Sequence, residues 1–322
     1  AQLKWQNVDS LYQPLPSSMH VYKTTDSLDG KPNIAYYVEV NLKDKKLEFT
    51  TDTTYQRRLT PSKFYEKNDK PLLVVNCTFF SFATNQNLSL VIKNKKLVGY
   101  NIHTVNGRGK DTLTYKHPFG SAIGIDKNRN ADIAWTYTDS SLKSAYAAQT
   151  AKTPLTDSLP TFNLDSAQYY ASAVAQLNKS SRNVKFTRDG NFPLALKVWK
   201  METAVGGGPV LLQNGEINIA NNKELKFAGK AIDDKHPRTA MGYTKDNRLV
   251  ILLVQGRFPA VSEGATLKQE AQILKDLGCW EALNLDGGGS SCLLVNGRET
   301  IKPSDKEGQR PVPAVFLIRA ND

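Results

Sequence analysis

The chain has 322 residues, 40% hydrophobic and 23% charged, with 42 Lys and Arg against 31 Asp and Glu and a formal charge of +11. This composition is typical of a globular protein, and no apolar run is long enough to span a bilayer. The positive charge favours an anionic partner such as a phosphorylated glycan. The basic residues are dispersed and do not alternate with aromatic residues, which argues against nucleic-acid binding.

The chain starts at Ala1-Gln2 without a Met. Such a start is compatible with cleavage of a signal peptide after a small residue. A trimmed chain would begin in the same way. We interpret the protein as exported, to the periplasm, the cell surface or the medium.

The first part of the chain predicts strands and one short helix. Residues 33–59 alternate apolar and polar side chains, with a hairpin turn at Asp44-Lys45, and residues 61–69 predict a helix. Residues 71–75 predict a buried strand that delivers Asn76 at its end. A polar side chain at a strand end is a candidate for holding a sugar hydroxyl.

The middle of the chain changes character. Two further hairpins are predicted at residues 88–98 and 119–137. Residues 140–151 and 164–179 are rich in alanine and have helical spacing. They predict a helical insertion at about 138–196, which is a lid, a partner-binding subdomain or an inert elaboration.

Strands return in the second half, together with glycine-rich turns and arginines. Gly207 and Gly208 precede an apolar strand. Arg238 and Arg257 lie near the ends of two others, which a predicted hairpin turn near Asp246-Asn247 joins. An arginine can donate two hydrogen bonds to two oxygens of one phosphate. The clustering of these features in the C-terminal half predicts a single anion site.

The segment LNLDGGGSS, at residues 283–291, predicts a ligand-binding turn. It follows a predicted helix at 265–277 with Gly278 at its end, and a strand. This order differs from the strand, glycine loop and helix of a dinucleotide fold. Glycine backbone N–H groups and serine hydroxyls can donate to an anion. The candidate donors are Gly287, Gly288, Gly289, Ser290 and Ser291.

The cysteines and histidines predict no metal site. Cys77, Cys279 and Cys292 form no CxxC pair, and the four histidines show no ligand spacing. Each cysteine is interpreted as a small buried residue, and no disulfide is assigned. No cofactor is predicted, although one carboxylate, backbone oxygens and a phosphate can together hold a divalent cation near Asp286.

Taken together, these patterns predict an α+β fold. We expect one strand-rich domain over residues 1–322, with a mixed sheet packed by helices and interrupted by the helical insertion.

The order of six motifs resembles the phosphodiester glycosidase family: GGGP, HPRTA, QGR, GATLKQEAQIL, ALNLDGGGSS and PSDKEGQRPV. The resemblance covers roughly residues 119–318, apart from the insertion, and extends more weakly to NCTFF at 76–80. It implies a hydrolase that removes a sugar from a phosphodiester.

The chain departs from the family pattern at four positions. Cys77 and Thr78 replace two glycines, Gln255 replaces an aspartate and Gln269 replaces a glutamate. The loss of two carboxylates puts turnover in doubt. A phosphoglycan-binding or carbohydrate-binding protein without turnover is therefore the alternative.

The chemistry predicts a role for each candidate residue. A phosphate leaves as a stable anion, so a strong general acid is less important for this reaction. The reaction instead needs groups that neutralise the phosphate charge, and one carboxylate. Asp286 is the candidate carboxylate, with capping of its own turn as the structural alternative. Arg238 is the candidate phosphate ligand, supported by Arg257 or Arg310, and His236 either protonates or binds the leaving phosphate.

Two further acids are candidates for a second catalytic carboxylate. Glu263 and Glu270 lie near the predicted helix at 265–277. We predict Glu270 to face solvent, which gives it no catalytic role.

The leading hypothesis is an exported hydrolase that cleaves the glycosyl C–O bond of a sugar-1-phosphodiester in a glycan or a cell-envelope polymer. A phosphodiesterase that cleaves the P–O bond is a further alternative.

Overall fold

The computed structural model describes residues 2–107, 110, 112–157 and 196–321. These residues form four β-sheets and three short α-helices. Every pairing between the described strands is antiparallel. The prediction of an α+β fold with a mixed sheet is therefore wrong, because the described part of the protein is mostly β and none of its sheets is mixed.

The first sheet contains the strands that lead into the glycine-rich motifs. Its strands are β1 (Gln6–Asn7), β2 (Met19–Thr24), β3 (Ala35–Asn41), β16 (Val210–Gln213), β17 (Glu216–Ile217), β18 (Arg238–Tyr243), β19 (Arg248–Val254) and β20 (Glu281–Asn284). Their order is β1-β2-β3-β19-β18-β20-β16-β17.

The second sheet has seven strands, in the order β14-β12-β11-β10-β15-β6-β7. These are β6 (Val91–Lys93), β7 (Lys96–Gly99), β10 (Gly120–Ile125), β11 (Ala131–Tyr137), β12 (Ala145–Ala148), β14 (Lys197–Trp199) and β15 (Thr203–Gly206).

The third sheet has five strands, in the order β22-β21-β5-β23-β4, and the fourth has three, in the order β13-β9-β8. The third contains β4 (Leu47–Thr53), β5 (Leu73–Asn76), β21 (Leu293–Val295), β22 (Arg298–Glu299) and β23 (Ala314–Ala320). The fourth contains β8 (Val105–Asn106), β9 (Tyr115–His117) and β13 (Leu155–Asp157).

The three helices are α1 (Pro61–Lys67), α2 (Asn221–Glu224) and α3 (Leu267–Asp276). The Thr60 side chain accepts the Lys63 N–H at the start of α1. The predicted helices at 61–69 and 265–277 are confirmed. Gly278, after α3, has a φ of +83°, which suits a glycine at a helix end.

The first three sheets share one hydrophobic core. Met241 of the first sheet, Ile123 of the second and Phe316 of the third belong to the same cluster of buried side chains. The helix α3 covers the opposite face of the first sheet, where its Ala271 and Leu274 pack with Val250. Removal of this apolar surface from water stabilises the arrangement.

Several hairpin predictions are confirmed, and one is wrong. β6 pairs with β7, β10 with β11, and β18 with β19. In contrast, β3 and β4 flank the turn at Asp44-Lys45 but belong to different sheets. Alternation predicts a strand and its buried face, whereas the partner of that strand depends on distant residues.

The helix predicted at 140–151 is also wrong, because β12 lies within it and pairs with β11 and β14. All four β12 residues are buried, and small alanine side chains fit such a strand. The helix predicted at 164–179 lies outside the described residues, as does most of the predicted insertion at about 138–196. Among the described helices, none combines the length and the apolar character that crossing a membrane requires.

Candidate active site

The glycine turn after β20 is tied to two distant segments. The Asp286 N–H donates to the Cys77 carbonyl at 2.8 Å, just beyond the end of β5. The Gly288 N–H donates to the Pro237 carbonyl, also at 2.8 Å. A Cβ on Gly287 would lie 2.8 Å from the same carbonyl oxygen, so glycine is required for this close approach.

Two guanidinium groups lie directly against the turn. Gly288 has a φ of +61°, and a Cβ there would lie 2.9 Å from Arg257 Nη2. A Cβ on Gly289 would overlap the Arg310 guanidinium. The turn is therefore in contact with Arg257 and Arg310, the two arginines proposed from the sequence as supporting phosphate ligands.

The Asp286 carboxyl lies at this surface and is partly buried. Burial raises its pKa to about 7, whereas the Ser290 hydroxyl, the Arg310 charge and the Gly287 N–H act in the opposite direction. Both protonation states of Asp286 are consequently populated near neutral pH.

Arg310 connects the turn to a second acid. Its Nε donates to Asp305, and its Nη1 donates to the Ser290 hydroxyl at 3.4 Å. The ion pair with Asp305 fixes the guanidinium while leaving it in contact with the turn.

Arg257 is exposed, and its φ of +65° is unusual for a residue other than glycine. Its side chain forms no ion pair with any described residue. An exposed guanidinium beside backbone glycines is well suited to bind phosphate.

Arg238 lies at the same end of the first sheet, but its guanidinium is buried and only 2% of the residue is exposed. Its Nε donates to the Ala265 carbonyl at 2.8 Å and its Nη2 to the Asp234 carbonyl at 3.0 Å. Phe227 covers it, with 5.8 Å between Cζ and the ring centre. The two-oxygen fork predicted for phosphate is therefore already engaged with backbone carbonyls.

His236 is close to both arginines, which favour the neutral form of its ring. Burial lowers its pKa, Arg238 and Arg257 lower it further, and Asp234 acts in the opposite direction. Its Nδ1 is buried without a hydrogen-bond partner among the described residues.

Asn76 has a structural position. Its Nδ2 donates to the Asp286 carbonyl at 2.6 Å, and its Oδ1 accepts from the Thr239 hydroxyl at 3.1 Å and the Cys292 N–H at 3.0 Å. The Thr239 hydroxyl also lies 3.0 Å from Ser291 Oγ. Asn76 and Ser291 are fully buried; Asn76 fixes the Asp286 backbone, and Ser291 is bonded to Thr239.

Gly207 and Gly208 form a tightly packed wall next to the turn. A Cβ on Gly207 would lie 2.5 Å from the Asn284 carbonyl oxygen. Gly208 has a φ of +122°, and a Cβ there would overlap the Glu224 carboxylate and lie 2.7 Å from Lys226 Cε. These glycines allow close packing; their predicted contact with substrate remains a prediction.

Glu224 and Lys226 are charged residues near the site that the sequence analysis missed. Glu224 accepts the Trp135 Nε1–H at 2.9 Å, the Val210 N–H at 2.9 Å and the Ser121 hydroxyl. Burial raises the Glu224 pKa and lowers the Lys226 pKa, while each residue stabilises the charge of the other. No motif signalled this pair, because it forms only when α2 folds against β16.

Aromatic rings extend the same side of the site. Lys226 Nζ lies 5.3 Å from the centre of the Phe79 ring. Phe79 contacts Phe227 edge to face at 6.2 Å, and Phe227 covers Arg238. Phe79, in the NCTFF segment, is thus placed beside Lys226 and Phe227.

The two glutamines that replace family carboxylates have structural roles. Gln255 Oε1 accepts the Lys302 N–H at 2.8 Å. Gln269 Oε1 accepts the Thr266 N–H at 2.9 Å, while the Thr266 hydroxyl accepts the Gln269 N–H, which is a complete capping box. Glutamine and glutamate both serve in a capping box, so a structural role accounts for either residue at position 269.

The prediction that Glu270 faces solvent is wrong. The residue is fully buried, and neither carboxyl oxygen has a partner among the described residues. Burial raises its pKa to about 8, against the effect of nearby Arg238. Its spacing from the buried Leu267 and Leu274 places it on their helix face, a signal that was available in the sequence.

Glu263 forms ion pairs with Lys235 at 3.5 Å and Lys31 at 3.9 Å, and its carbonyl accepts the Arg257 N–H at 3.4 Å. In the described part of the chain, no three His, Cys, Asp or Glu side chains are grouped to hold a metal ion.

Comparison with known proteins places this site in a family context. The family model for phosphodiester glycosidase matches residues 160–319. The bovine N-acetylglucosamine-1-phosphodiester alpha-N-acetylglucosaminidase is 33% identical over 103 residues, covering 30% of this chain and 19% of the relative. The mouse enzyme is 28% identical over 103 residues, covering 30% and 20%. A prophage-derived protein of Bacillus subtilis is 42% identical over 71 residues, covering 22% and 11%.

The matched regions therefore span only about a fifth or less of these relatives. Among solved structures, a hypothetical protein from Synechocystis has a TM-score of 0.62 at 14% identity, covering 99% of this chain and 64% of that one. The zebrafish N-acetylglucosamine-1-phosphodiester alpha-N-acetylglucosaminidase catalytic domain, auto-inhibited by its pro-peptide, has a TM-score of 0.57 at 19% identity, covering 100% and 89%. These similarities show a common fold.

The fold is strand-rich, and its triglycine turn holds an acid beside two arginines. Residues 160–319 match the phosphodiester glycosidase family model, which confirms the resemblance seen in the motifs of this chain.

Proposed function

We propose that this protein hydrolyses the glycosyl C–O bond of a sugar-1-phosphodiester. The observation that carries the proposal is the Asp286 carboxyl, whose pKa is raised to about 7, on a turn contacted by Arg257 and Arg310. A carboxylate and two guanidiniums are the groups that this reaction needs.

In the proposed reaction the phosphate lies against Arg257, Arg310 and the backbone of the glycine turn. Asp286 faces the anomeric carbon and either attacks it or takes a proton from the attacking water. Hydrolysis adds the hydroxyl of water to that carbon, and the phosphate departs as a monoester anion. The neutral His236 can donate a hydrogen bond to the phosphate without adding charge.

The substrate class follows from charge and from the relatives. The net charge of +11 favours an anionic glycan, and the mammalian relatives are named for action on an N-acetylglucosamine phosphodiester. We propose an exported enzyme that acts on such a linkage in a glycan or a cell-envelope polymer. The structural hydrogen bonds of Gln255 and Gln269 support our preference for hydrolysis over a binding protein without turnover.

Turnover of a sugar-1-phosphodiester by the wild type and by Asp286→Asn tests the proposal. We expect the variant to lose roughly a thousandfold or more in kcat, because the amide neither attacks nor accepts a proton. Glu216→Gln serves as the control, since it neutralises an exposed acid on the edge strand β17. Unchanged turnover in Asp286→Asn would contradict the assignment.

Hydrolysis in oxygen-18 water decides which bond breaks. We expect the label on the sugar, as required for C–O cleavage. A label on the phosphate would identify a phosphodiesterase instead.

A further inference from the structure

Two neighbouring loops display aromatic and basic side chains beside the candidate active site. Residues 54–58 carry Tyr55, which is 84% exposed, and residues 81–86 carry Phe82, which is 62% exposed. Asn85 Nδ2 donates to the Gln56 carbonyl at 3.4 Å, so the two loops are in contact. Large exposed aromatic side chains on adjacent loops often mark a binding surface.

This surface is continuous with the glycine turn. Arg58 Cζ lies 5.2 Å from the centre of the Phe82 ring and 5.2 Å from that of Phe80. Arg310 Cζ lies 5.3 Å from the Phe82 ring, and the same guanidinium touches Gly289. Phe82 therefore contacts both Arg310, which lies against the glycine turn, and Arg58, which lies on the neighbouring loop.

The charged side chains of these two loops are all positive and lie on residues 54–58. Residues 54–58 contain Arg57 and Arg58, and neither 54–58 nor 81–86 contains Asp or Glu. Within the described part of the chain, Arg57 and Arg58 form no ion pair. Their donors are available for phosphate, and the adjacent rings offer apolar faces of the kind on which sugars pack.

We propose that the surface formed by Tyr55, Arg57, Arg58 and Phe82 binds the continuation of an anionic glycan on the phosphate side of the cleaved bond. The inference rests on the proposed function, because Arg310 defines which side the phosphate occupies. The occupant is a polymer of sugars joined by phosphodiesters, in which a phosphate beyond the cleaved one meets Arg58. A substrate with a single phosphodiester would not reach these loops.

Binding by an Asp286→Asn background tests the surface without turnover. The probes are a synthetic oligomer of sugar-1-phosphate units and the matching compound with one phosphodiester. We expect Arg58→Ala with Phe82→Ala to weaken oligomer binding about tenfold or more. Each lost phosphate contact should reduce the salt dependence by roughly 0.7 in the slope of log K against log salt, the value for single-stranded polyanions.

Lys96→Ala is the charge-matched control, since Lys96 is exposed on the hairpin between β6 and β7. Arg57→Ala and Arg58→Gln provide milder variants should the double variant fold poorly. In the active protein, the ratio of kcat/KM for the oligomer to that for the short compound should fall about tenfold with Arg58→Gln. An equal fall for both substrates, or an equal effect of Lys96→Ala, would overturn the inference.

The two proposals fail in different ways. If oligomer binding depends on Arg58 but neither probe is hydrolysed, the proposed function is wrong and the proposed binding surface stands. If both probes are hydrolysed but oligomer binding depends on neither Arg58 nor Phe82, only the proposed binding surface is wrong.

Discussion

Asp286 combines two properties that a catalytic carboxylate requires, a fixed backbone and a pKa near neutrality. The Cys77 carbonyl and the Asn76 amide hold its backbone on both sides. Burial disfavours the charged form, while Arg310 and Ser290 keep that form accessible.

The pH dependence of kcat/KM should follow the Asp286 carboxyl. Its pKa is raised to about 7, and the proposed mechanism uses the charged form, so kcat/KM should rise with pH up to about 7 and then level off. A phosphodiester stays singly charged over this range, so the profile reports the enzyme. A fall in kcat/KM across the same range would show that the protonated acid is the active form.

Arg257 should contribute more to phosphate binding than its buried neighbour Arg238. It is exposed and free of ion pairs within the described residues, whereas Arg238 is bonded to two carbonyls. Arg257→Ala should lower kcat/KM roughly a hundredfold, with Arg257→Lys intermediate because lysine lacks the planar fork. Arg248→Ala, at the far end of β19, is the control, and an equal loss in that variant would remove the special role of Arg257.

Glu270 should make the protein less stable as the pH rises. Its pKa is about 8 when folded and near 4.5 when unfolded, so the folded state retains a proton that the unfolded state loses between those values. The free energy of unfolding should fall by up to about 1.4 kcal/mol per pH unit across this window from this group alone. Chemical denaturation of the wild type and of Glu270→Gln at pH 5 and pH 8 measures the effect. If the gap between the two proteins does not widen at pH 8, Glu270 is not buried as described.

At the level of elements, local patterns predicted what short-range contacts determine. Helix α3, its terminal Gly278 and the hairpin between β18 and β19 follow from periodicity and turn residues. The strand β12 was not predicted from local patterns, because alanine favours a helix intrinsically. Its residues form a strand because they pair with β11 and β14.

Gln269, near the start of α3, replaces a glutamate of the family pattern, and its substitution tests whether a catalytic carboxylate has been lost. Gln269 completes the capping box with Thr266, so Gln269→Ala should lower the free energy of unfolding by about 1 kcal/mol. Gln269→Glu preserves the box and should change kcat/KM less than about twofold. A large gain in activity on Gln269→Glu would mean that the wild type lacks a catalytic acid there.

For the whole molecule, sequence motifs predicted that the HPRTA, QGR and DGGGS segments meet, and they do. They did not predict which side chains remain accessible to substrate in the folded protein. Arg238 and Asn76 were expected to contact substrate, yet both are buried and engaged with neighbouring groups. Glu224 and Lys226 were missed, because their pairing depends on the contact between α2 and β16. Site membership is encoded locally, whereas accessibility depends on the complete fold.

The three cysteines are all unpaired and buried in the folded protein. Burial raises the pKa of Cys77 and Cys279 to about 12 and also raises that of Cys292, so little reactive thiolate exists in the native state. A cysteine introduced on the outer loops would consequently be the one thiol open to a maleimide dye. The native background therefore permits single-position fluorescent labelling without removing any natural residue.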